Sequence, residues 1–292
     1  MASGAPFMTG GRRPFQIALA EDELLRGDVW TPTSPSPDAA VVVCHGFKGF
    51  KDWGFFPYLC EELARRTDCL TVSFNFTGSG VEERLEEFTA LERFGRNTFS
   101  RELEDLEIVL DGLTVGRLGD VRVPAAGRFG LVGHSRGGAT ALLKASRRRQ
   151  VRALVTWAAV ASLGRYLELY AGRWDAGEPV FIENARTGQQ MPLYRNVMDD
   201  LRANAERLDV ERAAARLDIP YLIVHGSEDE SVPLADGERL AMGAPEATLE
   251  RIEGAGHTMG AGHPFAGPNP HLERAIAVSA THLRAVLTEG GS

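Results

Sequence analysis

The chain has 292 residues, enough for one large core or two small ones, and its 43% hydrophobic and 25% charged content is that of an ordinary globular protein rather than a disordered one. Its 32 basic against 40 acidic side chains leave a formal charge of −8, which argues against a nucleic-acid partner, since that needs a concentrated basic face. The opening MASGAPFMTGGRRPF has no apolar core behind a basic end, and no apolar stretch approaches the roughly 20 residues of a membrane span, so neither a secretory signal nor a membrane partner is expected.

Ahead of residue 39, FQIALAEDELLRGDVWTP reads as two strands of an antiparallel hairpin, added at one edge of a sheet. AAVVVCHGF (39–47) is a buried strand running into a glycine turn. In KDWGFFPYLCEELARR, Trp53, Phe56, Leu59, Cys60 and Leu63 recur at spacings of three and four, one face of a helix. CLTVSFNF (69–76) is a second strand, ended by TGSG. The acid-rich piece at 81–94 reads as a solvated short helix or loop, and Phe99, Leu103, Leu106, Val109, Leu110 and Leu113 mark a long amphipathic helix. GRFGLVGHS is the next strand, and RGGATALLKASRRR the helix behind it. The arginines at 147–149 end that helix, where cations oppose the negative end of its dipole.

VRALVTWAAV and IPYLIVHG are continuous apolar runs, the type expected of strands covered on both faces. ATLERIEG is a last, amphipathic strand. Asn269 and Pro270 then cap a helix with Leu272, Ala275, Ile276, Ser279, Leu283 and Val286 on one face. Repeated strand–helix–strand with short connections predicts a mostly parallel sheet with helices on both sides, in one domain spanning 1–292. Residues 161–217 break the alternation with Tyr166, Tyr170 and Trp174, a hairpin EPVFIENARTGQQMPL and a helical tail. They read as a cap inserted over the carboxyl ends of the strands. Cys44, Cys60 and Cys69, odd in number and set in apolar stretches, read as reduced core residues, and the cytoplasm is the expected compartment.

Ligands of open parallel sheets bind outside the carboxyl ends of the strands. Four chemistry-bearing pieces follow strand runs directly. Gly133-His134-Ser135-Arg136-Gly137 sits between a strand and a helix, a sharp turn that exposes the serine hydroxyl at the free N–H end of the helix. Asp229 in IVHGSEDESVP follows another strand and is the choice for the acid that orients a histidine, with Glu228 and Glu230 as rivals. His257 in EGAGHTMG completes the chain order serine, acid, histidine, and His263 and His271 compete for its place. In HGFKGFKDW, the backbone N–H of Phe47 joins that of Arg136 as the pair of donors an oxyanion needs. His45, His134 and His225 read as structural hydrogen-bonders.

These residues imply a serine nucleophile (Ser135), base (His257) and acid (Asp229) for hydrolysis at a carbonyl, with no metal or organic cofactor; an ester as that carbonyl is what the family resemblance of their loops implies. Peptide, thioester or acyl-transfer chemistry on the same triad, and a non-catalytic binding protein, are the rivals. Trp157 is a candidate for the acyl side of the pocket, and Tyr166, Tyr170 and Trp174 for an apolar cap wall, each equally well read as packing. Lys48 and Lys51 belong to a turn that either attracts an acidic substrate or is merely solvated. HGF, GHSRGG, HGSEDESVP and GAGH together resemble the oxyanion, nucleophile, acid and histidine loops of the α/β-hydrolase superfamily, over residues 39–287. VCHGFKGFKDWGFF and FNFTGSG look like small bacterial carboxylesterases near the cinnamoyl-esterase and dienelactone-hydrolase-like branch. Dienelactone hydrolases use a cysteine where this chain has Ser135, so their substrate is not implied. The expected partner is a small ester, and a homodimer is open to the chain.

Overall fold

The computed structural model describes residues 11–20, 23–33, 38–82, 84, 87–119, 121–123 and 127–289. The first ten residues, most of the stretch searched for a secretory signal, lie outside the described residues. In chain order the strands are β1 (Gly11–Ala20), β2 (Glu23–Thr31), β3 (Ala39–Cys44), β4 (Leu70–Phe74), β5 (Arg128–His134), β6 (Val151–Trp157), β7 (Val180–Glu183), β8 (Gln190–Leu193), β9 (Tyr221–Gly226) and β10 (Ala247–Ile252). The helices are α1 (Phe56–Thr67), α2 (Leu91–Arg96), α3 (Phe99–Val115), α4 (Arg136–Ala145), α5 (Arg165–Asp175), α6 (Asn196–Ala203), α7 (Val210–Ala214), α8 (Leu234–Gly243) and α9 (Pro270–Arg284).

Eight strands form one sheet in the order β1-β2-β4-β3-β5-β6-β9-β10. From β4 to β10 all neighbours are parallel, whereas the β1–β2 hairpin joins antiparallel at the β4 edge, as expected of a hairpin added at one edge. The parallel strands are apolar on both faces because helices cover both. Val41 and Val43 pack with Leu59, Leu63, Leu272 and Ile276 of α1 and α9. Ala40 and Val42, one residue out of step, pack with the α3 leucines and with Leu142 of α4. Each fully buried leucine of these faces stabilises the fold by about 1.5–3 kcal/mol relative to exposure. Asn269 caps α9, its Oδ1 accepting from the N–H groups of His271 and Leu272.

Two expectations need adjustment, and one element is added. The helix expected from Trp53 starts at Phe56, because Gly54 takes a left-handed backbone (φ 49°) and leaves Trp53 in the preceding turn. The acid-rich segment is not merely solvated: Phe88 and Phe94 are buried, and Val81 bridges Phe88. Residues 83, 85 and 86 of that segment lie outside the described residues. Helix α8, in a stretch to which the sequence assigned no element, carries the crossover from β9 to β10.

Residues 161–217 leave the sheet after β6 and return at β9. They hold α5, the antiparallel β7–β8 pair, α6 and α7. Backbone bonds from Tyr194 N–H to Gly95 O (3.1 Å) and from Ser100 N–H to the Asp200 carboxylate (3.0 Å) tie this segment to α2 and α3. The three cysteines are buried and unbridged, and burial pushes the Cys60 thiol up to about 12 and the Cys69 thiol to about 11. Arg147 donates to Leu143 O (3.0 Å) at the end of α4, which satisfies one of the carbonyls left free there. No helix among the described residues is long and apolar enough to cross a membrane.

Candidate active site

β5 ends at His134 and α4 begins at Arg136, so Ser135 alone turns the chain. It does so at φ 56°, ψ −122°, a conformation few non-glycine residues adopt. Bonds on both sides hold it there: Ser135 N–H donates to Trp157 O (2.8 Å), and Gly138 N–H donates to Ser135 O (3.0 Å). The flanking glycines are required by contact. A Cβ on Gly133 would lie 2.3 Å from Gly137 O, and one on Gly137 would lie 2.2 Å from His45 O. The elbow is therefore pressed against the end of β3, beside the loop that carries Phe47.

The acid loop follows β9. Glu228 and Glu230 are exposed and Asp229 is buried, which separates the three rivals. Asp229 Oδ1 accepts from the N–H groups of Ser231 (2.9 Å) and Val232 (2.8 Å), and Oδ2 lies 2.8 Å from His257 Nδ1. Burial alone would raise this carboxyl. Bonds from His225, His257 and Val232 outweigh burial and hold it well below the usual carboxylate range. An ionised acceptor at Oδ2 puts the proton of neutral His257 on Nδ1 and leaves Nε2 bare. His225 Nε2 donates to Val232 O (2.9 Å) and so braces the same loop.

His134 fixes the histidine loop from below, its Nε2–H donating to the backbone carbonyl of His257 (2.9 Å), with the two rings 4.6 Å apart. Burial, reinforced by the neighbouring His257, pushes His134 down to about 3, so it stays neutral and keeps that single donor role. His263 accepts from Gly54 N–H (2.9 Å) and stacks on Trp53, and His271 sits in the first turn of α9. Neither lines the cavity that holds Ser135 and His257.

The loop after β3 is set by His45. Its Nε2 accepts from Phe76 N–H (3.2 Å), so Nδ1 carries the proton and donates to Gly46 O (2.9 Å). Gly49 N–H donates to the same carbonyl (3.1 Å). Across a trans peptide the next N–H, that of Phe47, must point the opposite way. Neither the Phe47 N–H nor the Arg136 N–H has an acceptor among the described residues, and both residues line the cavity. The first N–H groups of a helix have no partner within it, which leaves the Arg136 donor free at the start of α4.

The Arg136 side chain is 3% exposed. It pairs with Glu102 (2.7 Å) and lies over the rings of Phe99, Phe47 and Tyr166, at 4.1, 5.3 and 5.7 Å. Glu102, at the start of α3, also accepts from Asn97 (2.8 Å) and Thr140 (3.1 Å). This buried cation ties the elbow, the Phe47 loop and α5 together. Glu102 was not singled out in the sequence because it reads as one more acid on a helix.

The cavity measures about 330 Å³ and is walled by Val160, Tyr166, Leu169, Tyr170, Ile182 and Val232, besides the residues above. Of the four aromatic pocket candidates it includes Tyr166 and Tyr170. Trp157 is a core residue instead: it is 1% exposed, faces Phe55 and donates its indole N–H to Ser279 Oγ (2.9 Å). Trp174 is likewise buried, donating to Leu193 O (3.0 Å) and so joining α5 to β8. Lys51 is neither a solvated nor a substrate-facing residue. Its ammonium is buried between Asp28 and Asp52, each 2.5 Å away, while Arg12 contacts both carboxylates. That network anchors the Phe47 loop to β2. Among the described residues no group of three His, Cys, Asp or Glu side chains is assembled to hold a metal.

No hydrogen bond joins the Ser135 hydroxyl to His257 among the described residues, yet the two share one cavity wall. The mostly parallel sheet with Ser135 at a strand-to-helix turn is the architecture of a hydrolase. The family described as "Alpha/beta hydrolase family" matches residues 41–268, and the chain belongs to it. A search of curated proteins finds no match. Among solved structures, the chain is similar to the esterase domain of a Rhodothermus marinus protein, with 18% identity and a TM-score of 0.66 over 95% of this chain and 99% of that one. It is similar to dienelactone hydrolase from Anabaena variabilis, with 17% identity and a TM-score of 0.62 over 96% and 100%. It is also similar to a puromycin-hydrolyzing peptidase of Mycobacterium tuberculosis, with 19% identity and a TM-score of 0.64 over 96% of this chain and 40% of that one. At these identities the likeness is one of fold.

Proposed function

We propose that the protein is a serine hydrolase that cleaves carboxylic esters through an acyl-enzyme. The observation that carries this reading is the 2.8 Å bond between His257 Nδ1 and a buried, ionised Asp229, beside a serine elbow with two free backbone N–H groups. His257 Nε2 takes the Ser135 proton as Oγ bonds to the ester carbonyl carbon. The negative charge that develops on the carbonyl oxygen is stabilised by the N–H groups of Phe47 and Arg136. As the tetrahedral species collapses, the C–O bond breaks and the imidazolium returns its proton to the departing alcohol. Water then repeats the sequence on the acyl-enzyme, releasing the acid and restoring Ser135. Asp229 remains ionised throughout and stabilises the imidazolium. Residues 161–217 act as a small cap that supplies the Tyr166, Leu169 and Tyr170 wall.

Hydrolysis of p-nitrophenyl esters of increasing acyl length, set against p-nitroanilide and peptide amides, tests the ester assignment. Ester turnover that is lost in Ser135→Ala, with a peak at short to medium chains as a cavity of about 330 Å³ implies, is the expected result. Amide turnover exceeding ester turnover contradicts it.

A further inference from the structure

Three cations line the cavity, Lys48, Arg136 and Arg165, and no aspartate or glutamate does. This runs against the molecule's formal charge of −8. The charge of Arg136 is met from behind by Glu102 at 2.7 Å. The other two are held only by neutral carbonyl oxygens: Lys48 Nζ donates to Glu183 O (3.0 Å), and Arg165 Nη2 donates to Ser231 O (3.4 Å). Among the described residues neither has a carboxylate within ion-pair distance. Burial lowers the Lys48 pKa, and the more distant Glu183 carboxylate partly opposes that shift without forming a pair. Both side chains are half-buried and stand on different elements. Lys48 follows Phe47 directly in the loop after β3, and Arg165 opens α5 beside Tyr166.

Unmatched like charges gathered on a cavity with low-dielectric walls focus a positive field on it and raise the local concentration of anions. Val160, Leu169, Tyr170 and Ile182 offer an apolar surface next to them. Resting on the ester-hydrolase reading and narrowing it, we propose that the substrate is an anionic ester, with a short apolar body and a carboxylate a few bonds from the scissile carbonyl. Lys48 and Arg165 recognise that carboxylate while Ser135 attacks the ester.

The test uses two matched pairs, since the carboxylate sits on either the acyl or the alcohol side. Mono-p-nitrophenyl glutarate against p-nitrophenyl pentanoate reads the acyl side, and 4-acetoxybenzoate against phenyl acetate reads the alcohol side. In one of the pairs, kcat/KM for the anion exceeds that for the neutral ester by about tenfold, the size of a partly screened charge contact. That ratio falls about tenfold in the Lys48→Gln, Arg165→Gln double variant, is kept by Lys48→Arg, and shrinks as salt is raised. Equal or poorer use of the anion in both pairs, or a preference that survives the double substitution, overturns the proposal. Calorimetric binding of monomethyl glutarate against methyl pentanoate to Ser135→Ala separates the two levels of the reading. Charge-selective binding without turnover by the wild type overturns the ester assignment alone. Turnover of neutral esters with no charge selectivity overturns the anion site alone.

Discussion

Asp229 concentrates the chemistry of the site in one side chain. Two backbone N–H groups and two histidines meet its carboxylate and hold its pKa well below the usual carboxylate range. Replacing it with asparagine leaves the shape but removes the charge that selects the His257 tautomer. Asp229→Asn is expected to lower kcat for ester hydrolysis by roughly 10³–10⁴-fold while labelling of Ser135 slows in parallel. A loss below tenfold, by initial rates on the best ester, means that the aspartate does not orient the base. The same carboxyl carries a pH signature. Its folded pKa is depressed, so its contribution to stability is complete above the unfolded value near 4 and is lost as pH falls towards the folded value. The stability gap between the wild type and Asp229→Asn in urea is expected to narrow as the pH is lowered from 5 to 3. Arg136 makes a second residue-scale case. Glu102→Gln strips the counter-charge from a guanidinium that is 3% exposed, and urea unfolding is expected to show a loss of about 3–5 kcal/mol. A loss under 1 kcal/mol means that the pair is not what holds Arg136 in place.

At the scale of elements, the parallel strands, α1, α3, α4 and α9 were legible because apolar residues recur with a strand or helix period and the ends carry readable signals such as Asn269-Pro270. The loops that carry Ser135, Asp229 and His257 were legible because each comes soon after a strand run. The aromatic assignments were not, since an indole that ends a strand looks the same whether it turns into a cleft or into the sheet's helix layer. For Trp157 the deciding partner is Ser279, 122 positions away on α9. Trp157→Phe is therefore expected to lower stability by about 1–3 kcal/mol, by loss of a buried hydrogen bond and of packing. The acyl-length profile should not move; a shifted profile would return Trp157 to the pocket. Lys51 was illegible for a similar reason. Its carboxylate partner Asp28 lies on β2, 23 positions earlier, and a lysine in a glycine turn ordinarily projects into water. Helix α8 was missed because two acids, an arginine and two glycines mask its short apolar face in LADGERLAMG.

Across the whole molecule, the sheet order brings separate loops to one end. β3, β5 and β6 run side by side and β9 joins at β6, so the Phe47 loop, the Ser135 elbow and the acid loop leave neighbouring parallel strands in the same direction. The histidine loop follows β10, beyond β9, and reaches back to the elbow through the His134 contact with the His257 carbonyl. An acidic molecule with a cation-lined cavity over that point is built to concentrate one kind of reactant there. The central claim is that this convergence makes Ser135 a nucleophile. Reaction of the intact protein with a fluorophosphonate, followed by mass mapping of the adduct, addresses it most directly. One adduct per chain on Ser135 in the wild type, and none in Ser135→Ala, is the result the account predicts. An unlabelled wild type, or an adduct that persists in Ser135→Ala, contradicts it.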